Sequence, residues 1–260
     1  MYVIILAAGK GSRLMPLTKD RPKCLLELKE GKTLLQIQIE KIQTVNPKGI
    51  IVLTGYKSKM IEEFVKKNYN KEDNIIIEFN PFFEISNNLA TLYLAKSYFL
   101  KDDVIVINGD DIFTSEVIKG LAAINDEGIW ATISRKNEYD WDDMKIITKG
   151  NIITHISKEI PLEEANGESV GMIKFNGKSR LVFYEVMVDV MHKPEALNWF
   201  WLHAIQEYIN RGNNVYYYEI PRSSWAEMDF HVDYKSIKTY IEKYVKTTIN
   251  MDDKDQNLLD

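Results

Sequence analysis

The chain has 260 residues, 45% hydrophobic and 27% charged, the composition of an ordinary globule long enough to bury a sizeable core. Lys and Arg number 33 against 38 Asp and Glu, a formal net charge of −5, so no basic field collects nucleic acid and no nucleic-acid partner is expected. No apolar run reaches the roughly 18 residues a membrane span needs, the single cysteine, Cys24, cannot form an internal disulfide, and no charged n-region precedes the first strand, so a cytoplasmic setting away from membranes is expected.

Tyr2-Val3-Ile4-Ile5-Leu6 is continuously apolar and β-branched, which predicts a strand covered on both faces and hence a parallel sheet. Similar runs at 49–54, 75–79, 104–108 and 129–134 predict further strands. Apolar spacings of three and four predict helices over 33–45, 58–69 and 88–99 between them. Strands alternating with crossover helices imply a doubly wound α/β sheet. Beyond residue 145 the pattern changes to shorter strands at 145–148, 152–157 and 171–175, helices at 178–191 and 194–211, a strand at 215–220 and a last helix at 232–245. No Pro/Gly/Ser-rich linker interrupts the chain, so residues 1–250 are expected to form one domain, with 251–260 as a frayed acidic tail.

In such a sheet ligands sit beyond the carboxyl ends of the strands, and the first strand-to-helix loop is a usual phosphate site. That loop holds Gly9 and Gly11, which let backbone N–H groups turn toward an anion, and Arg13 and Lys23, which add fixed donors. It is too compressed for a Walker A loop, and Leu14 stands where a dinucleotide fingerprint wants glycine. On spacing alone, a plain βα turn with solvated Lys and Arg remains the alternative.

The whole run Leu6-Ala7-Ala8-Gly9-x-Gly11-x-Arg13-Leu14, Pro16-Leu17-Thr18, Arg21-Pro22-Lys23 resembles the signature of the nucleotidyltransferases that join a nucleoside triphosphate to a sugar phosphate or phospho-alcohol. The resemblance implies a Rossmann-like, GT-A-type three-layer sandwich with a mostly parallel mixed central sheet. Residues 1–140 would then be a nucleotide-binding half and 141–250 an acceptor-binding half. The loop, including Ser12, would wrap the triphosphate, with Arg13 on the β- and γ-phosphates and Lys23 bridging the α-phosphate and the incoming phosphate. Pro16 and Pro22 fix φ and lower the entropy lost as the loop closes.

Bringing two anionic phosphates together requires cations at the reacting phosphorus, and Mg²⁺ is the natural agent, held by one or two carboxylates. The strand end Val106-Ile107-Asn108-Gly109-Asp110-Asp111 resembles the family's metal-binding strand end and implies Asp110 as a ligand, with Asp111 behind it or capping the next turn. Trp225-Ala226-Glu227-Met228-Asp229 resembles the family's late E-x-D: Asp229 would complete the metal site, with Glu227 supporting it on the acceptor side. Read without the resemblance, Glu227 and Asp229 are better explained as the acidic first turn of a helix.

Asn80 and Asn87-Asn88-Leu89-Ala90-Thr91-Leu92 sit where the family reads the base, and asparagine amides with the Thr91 hydroxyl offer donors and acceptors to a pyrimidine edge; a helix N-cap explains Asn87 or Asn88 equally well. This pattern resembles the cytidylyltransferase branch that acts on phosphocholine and 2-aminoethylphosphonate, and over its length the chain resembles the capsule-pathway cytidylyltransferases that activate phosphoglutamine. Asp142-Asp143-Met144-Lys145, Lys158 and the run Glu168 to Lys174 resemble acceptor-side motifs of that branch, implying Lys145, Lys158 and Glu168 at the acceptor; solvated strand edges are the plain reading of Lys145 and Lys158. Thr54-Gly55-Tyr56 either closes the other side of the base or is a simple turn. Trp199, Trp201 and Tyr216 to Tyr218 read as core, no aromatic cage for a quaternary ammonium is assigned to Trp130, Tyr139 or Trp141, and His155, His192, His203 and His231 show no metal spacing.

The resemblance thus implies Mg²⁺-dependent transfer of CMP from CTP to a small phosphorylated or phosphonate acceptor, with release of pyrophosphate. A sugar-1-phosphate enzyme using dTTP, UTP or GTP is the alternative. A regulatory subunit that has lost catalysis and a P-loop kinase fit the retained Arg13, Lys23, Asp110 and Asp229 less well, and homodimerisation stays open.

Overall fold

The computed structural model describes residues 1–29 and 31–229; the helix expected at 232–245, His231 and the tail lie outside the described residues. The first expected strand forms as β1 (Tyr2–Ala7). A small hairpin of β2 (Glu27–Lys29) and β3 (Lys32–Thr33) follows the glycine loop. It leads into α1 (Leu34–Gln43), whose first turn is capped by the Thr33 hydroxyl accepting from the Gln36 N–H. Next come β4 (Gly49–Thr54), α2 (Ser58–Asn68) and β5 (Ile75–Phe79). The helix expected over 88–99 divides into α3 (Asn88–Leu94) and α4 (Tyr98–Lys101). β6 (Val104–Asn108), β7 (Asp111–Phe113), α5 (Ser115–Ala123) and β8 (Gly128–Ser134) complete the first half.

The second half contributes β9 (Lys145–Lys149), β10 (Ile152–Ser157), β11 (Gly167–Asn176), α6 (Ser179–Met191), α7 (Leu202–Asn210), β12 (Val215–Glu219) and β13 (Trp225–Glu227). The nine-stranded sheet runs β5-β4-β1-β6-β11-β8-β12-β10-β9, and β11 and β10 run opposite to the rest. Apolar residues of α1, α2 and α5 (Leu35, Ile39, Ile61, Val65, Leu121) cover one face. Those of α3, α6 and α7 (Leu89, Leu92, Phe183, Val186, Leu202, Ile205) cover the other, giving the three layers the motif implied. Among the described residues no helix is long and apolar enough to cross a membrane.

Three features of this frame position the cleft. Gly109 sits so close to β1 that a Cβ there would lie 2.3 Å from the Leu6 carbonyl oxygen, which its own N–H reaches at 3.0 Å. β11 starts four residues earlier than its sequence pattern suggests, because a bulge between Ser169 and Ile173 breaks the alternation; Gly171 takes φ 76° there, with Asn108 filling the space a side chain would need. β7 and β13 pair antiparallel with Asp111 opposite Glu227, joining two acidic segments that are far apart in the chain.

Candidate active site

The loop after β1 folds as two short 3-10 turns. Gly11, at φ 61°, opens the first (Ser12–Leu14), and the Thr18 hydroxyl donates to the Gly11 carbonyl at 2.8 Å. Pro22 precedes the second (Lys23–Leu25), which turns Lys23 back toward Gly11, where the absent Cβ leaves room for the lysine stem. Leu14, Leu26 and Leu28 bury against Leu34, Ile112 and Met228, so the loop is clamped to the β7–β13 pair.

The loop lines a cleft of about 360 Å³ with Leu6, Ala7, Ala8, Gly9, Gly11, Ser12 and Arg13. Gly109, Asp110, Glu227 and Asp229 line the same cleft. The Lys23 ammonium donates to Asp110 Oδ2 at 2.8 Å and to Asp229 Oδ1 at 2.7 Å. Arg13 Nη1 donates to Asp229 Oδ2 at 3.2 Å and to Asp142 Oδ2 at 2.8 Å. Cradle and carboxylates therefore share one site, as the sequence reading required.

The charges at this site are strongly perturbed. Burial opposes the Lys23 charge, but Asp110 and Asp229 outweigh it and hold the ammonium above its ordinary range. Asp111 is 1% exposed with neither carboxyl oxygen hydrogen-bonded among the described residues; burial, then Asp110 and Glu227, push it well above the usual carboxylate range. Glu227 opens onto the cleft yet is crowded by protein, and desolvation with Asp110 and Asp229 raises it to about 8. Oxygens of Asp110, Asp111 and Glu227 lie within 4.8 Å of one another. Four acids thus face one lysine and one arginine, a hard-oxygen set that fits a divalent cation of the Mg²⁺ kind. The cluster brings Asp111 and Glu227 beside the expected ligand Asp110 and does not include Asp229, whose oxygens accept from Lys23 and Arg13.

At the other end, Lys158 Nζ donates to Asp142 Oδ1 at 2.7 Å and lies 5.2 Å from the centre of the Phe200 ring, so Asp142 links Lys158 to Arg13. The adjacent Asp143 and Glu168 share Lys136, at 2.7 Å and 3.0 Å. Lys136 was not foreseen from sequence, although its place just beyond the carboxyl end of β8 is where ligand-facing residues collect. Trp225, which lines the cleft through the β7–β13 pairing, and Arg222, whose Nε lies 3.9 Å from Glu168, were likewise not foreseen.

Several expected residues lie elsewhere or are already engaged. Lys145, 1% exposed, does not line the cleft: its ammonium donates to the carbonyls of Asp140, Trp141, Asp143 and Lys158 and so braces the loop carrying Asp142 and Asp143. Asn80, 1% exposed, donates to the Ser86 and Thr91 hydroxyls and accepts from the Phe82 N–H, a full set that fastens the 80–86 loop to α3. Asn87 caps α3, and the Asn88 side-chain oxygen Oδ1 accepts from the Trp201 backbone N–H; both still line the cleft beside Thr91. Lys174, from the run beginning at Glu168, points away and donates to the Ala122 and Ile124 carbonyls at the end of α5. Tyr56 hydrogen-bonds the Thr18 and Lys19 carbonyls, supporting the first loop from outside.

The sequence pattern of the nucleotidyl transferase family matches residues 2–243, and the chain belongs to that family of transferase enzymes. It is 29% identical to the CTP:phosphoglutamine cytidylyltransferase of Campylobacter jejuni subsp. jejuni, over 94% of this chain and all of that one. Its fold superposes on the CTP:phosphocholine cytidylyltransferase of Streptococcus pneumoniae with a TM-score of 0.75 at 21% identity, covering 92% of this chain and 98% of that one. The inositol-1-phosphate CTP transferase of T. maritima gives 0.76 at 19% identity, over 94% and 96% of the two chains.

Proposed function

We propose that the protein transfers CMP from CTP to a small phosphorylated or phosphonate acceptor, of the phosphoglutamine, phosphocholine or 2-aminoethylphosphonate type. The observation that carries this reading is the Lys23 ammonium lodged between Asp110 and Asp229, with Arg13 linking Asp229 to Asp142. Cations for phosphate and carboxylates for a metal thereby meet in one cleft. An acceptor phosphate oxygen attacks the α-phosphorus of CTP; the new P–O bond forms as the bond to the β-phosphate oxygen breaks, and pyrophosphate leaves with that electron pair. The attacking oxygen is already ionised near neutral pH, so no strong general base is required. Positioning and charge neutralisation carry the rate.

In this reading Arg13 holds the outer phosphates, Lys23 the α-phosphate and the incoming phosphate, and Lys158 approaches the acceptor from the other side of Asp142. Asn88 and Thr91 face the base, while Asn80 and Lys145 position the loops around them. Asp110, Asp229 and Glu227, with Asp111 behind, would hold Mg²⁺, which when bound supplies charge neutralisation at the phosphates. CTP is favoured over dTTP, UTP and GTP by the Asn-Asn-x-x-Thr-Leu pattern and by the full-length similarity to a cytidylyltransferase. The test offers the protein five triphosphates with Mg²⁺ against phosphoglutamine, phosphocholine, 2-aminoethylphosphonate and sugar phosphates. Mass detection should find a CDP adduct and pyrophosphate; a dTDP, UDP or GDP sugar instead would establish the alternative.

A further inference from the structure

We infer that the end of the acceptor remote from its phosphate carries an N–H or O–H donor, which Glu168 Oε1 accepts, so that a quaternary ammonium is discriminated against. This rests on the transferase reading above and adds the chemical class of the acceptor to it.

Glu168 lines the cleft, yet the residue is only 4% exposed. One carboxyl oxygen takes the Lys136 ammonium at 3.0 Å. The other has no hydrogen-bond partner among the described residues, the Arg222 Nε standing off at 3.9 Å. A buried acceptor left in this state is costly, and a ligand donor relieves the cost. Trp225 offers a group of the opposite polarity, which would take an oxygen of the ligand rather than a donor. It lines the cleft, is 4% exposed, and its indole N–H has no acceptor among the described residues. The Arg222 guanidinium lies 4.8 Å from the centre of the Trp225 ring and its Nε 3.9 Å from Glu168 Oε1, so Arg222 neighbours both residues without lining the cleft itself. Arg222 is itself half exposed, held by a hydrogen bond from its Nη1 to the Trp225 carbonyl at 3.1 Å.

Charge and shape exclude the competing tail. Asp140, Asp143 and Glu168 face Lys136, with Arg222 3.9 Å from Glu168, so three carboxylates meet two cations and a donor, neutral or cationic, is accommodated. A trimethylammonium group offers no N–H and needs open aromatic faces instead. Of the aromatic rings that line the cleft, Phe200 has Lys158 beside its face and Trp225 has Arg222, while Phe83 packs against Phe79. Trp201 is buried with its N–H given to Asn108, and Trp141, 74% exposed, does not line the cleft.

The test measures pyrophosphate release by the full chain with CTP and Mg²⁺ on phosphoethanolamine, its N-methyl and N,N-dimethyl derivatives and phosphocholine, with glycerol 3-phosphate as a hydroxyl donor. Along the methylated series the charge is constant while donors are lost and methyl bulk is gained, and the Glu168 variants separate the two effects. The expected result is a kcat/KM for phosphocholine about 10- to 100-fold below that of the best donor-bearing acceptor. Glu168→Gln and Glu168→Ala should shrink that ratio and raise the acceptor KM, while the KM for CTP and the melting temperature stay in place. Equal use of phosphocholine, or variants that keep the full ratio, overturns the inference. CTP binding without turnover of any donor-bearing acceptor overturns it as well and leaves the transferase reading standing. Failure to bind CTP at all overturns the transferase reading itself.

Discussion

Lys23 is an ammonium gripped by two carboxylates, and phosphate binding would have to draw it toward a different anion. Its charge is then most valuable where negative charge gathers between the reacting phosphates, so Lys23→Ala is expected to lower kcat by about 10²- to 10³-fold with a much smaller loss of CTP affinity. Single-turnover kinetics check this, and an unchanged chemical step removes Lys23 from the reaction. Asp110→Asn and Asp229→Asn take away a metal carboxylate and one Lys23 partner together. Each variant should need far more Mg²⁺ for half-maximal rate, measured by metal titration, and wild-type behaviour at ordinary Mg²⁺ would exclude that residue from the site. The meeting of the glycine loop, Asp110 and Asp229 in one cleft was foreseen only through the family resemblance, since spacing alone left a plain turn and an acidic helix start open. Lys145 and Asn80 were misplaced for a physical reason: a polar side chain in a suggestive motif serves a ligand or the backbone equally well, and only burial with a full set of partners tells them apart.

The central strands and the helices around them were readable because continuous apolar runs and spacings of three and four reflect burial directly. The elements that escaped were those whose existence depends on partners. β7 and β13 are short, each pairs only with the other, and Trp225-Ala226-Glu227 reads just as well as an acidic helix start until Asp111 and Phe113 lie opposite. α5 follows β7 and ends where Lys174, reaching from β11, supplies donors to the Ala122 and Ile124 carbonyls. That contact makes Lys174 a tertiary cap. Its charge is disfavoured by burial, yet two carbonyls depend on it. Lys174→Met should therefore destabilise the fold by about 1–3 kcal/mol, read from denaturant unfolding, with the KM values for CTP and acceptor unchanged. Unaltered stability would show that water or the relaxed helix end satisfies those carbonyls.

Across the whole molecule the acidic cluster couples stability, pH and metal. Burial raises Asp111, and Glu227 rises to about 8, so each binds its proton more tightly in the folded chain than in the unfolded one. Between the ordinary carboxylate range and about pH 8 the folded state therefore holds more protons than the unfolded state, and stability must fall as pH rises through that window. Below it both states are protonated and the contribution is fully present. Buried Asp111 carries more of this effect than Glu227, which solvent reaches from the cleft. A divalent cation competes with those protons and binds only the folded arrangement, so its stabilisation should grow in the direction in which the metal-free protein weakens. Thermal melts from pH 5.5 to 8.5 in chelator should show a falling midpoint. Mg²⁺ with CTP should restore it by more at the alkaline end, and Asp111→Asn should flatten the metal-free slope. A midpoint in chelator that is level or rising over this range would mean that the cluster is already neutralised within the fold, and the case for a resident cation at Asp110, Asp111 and Glu227 would fail with it.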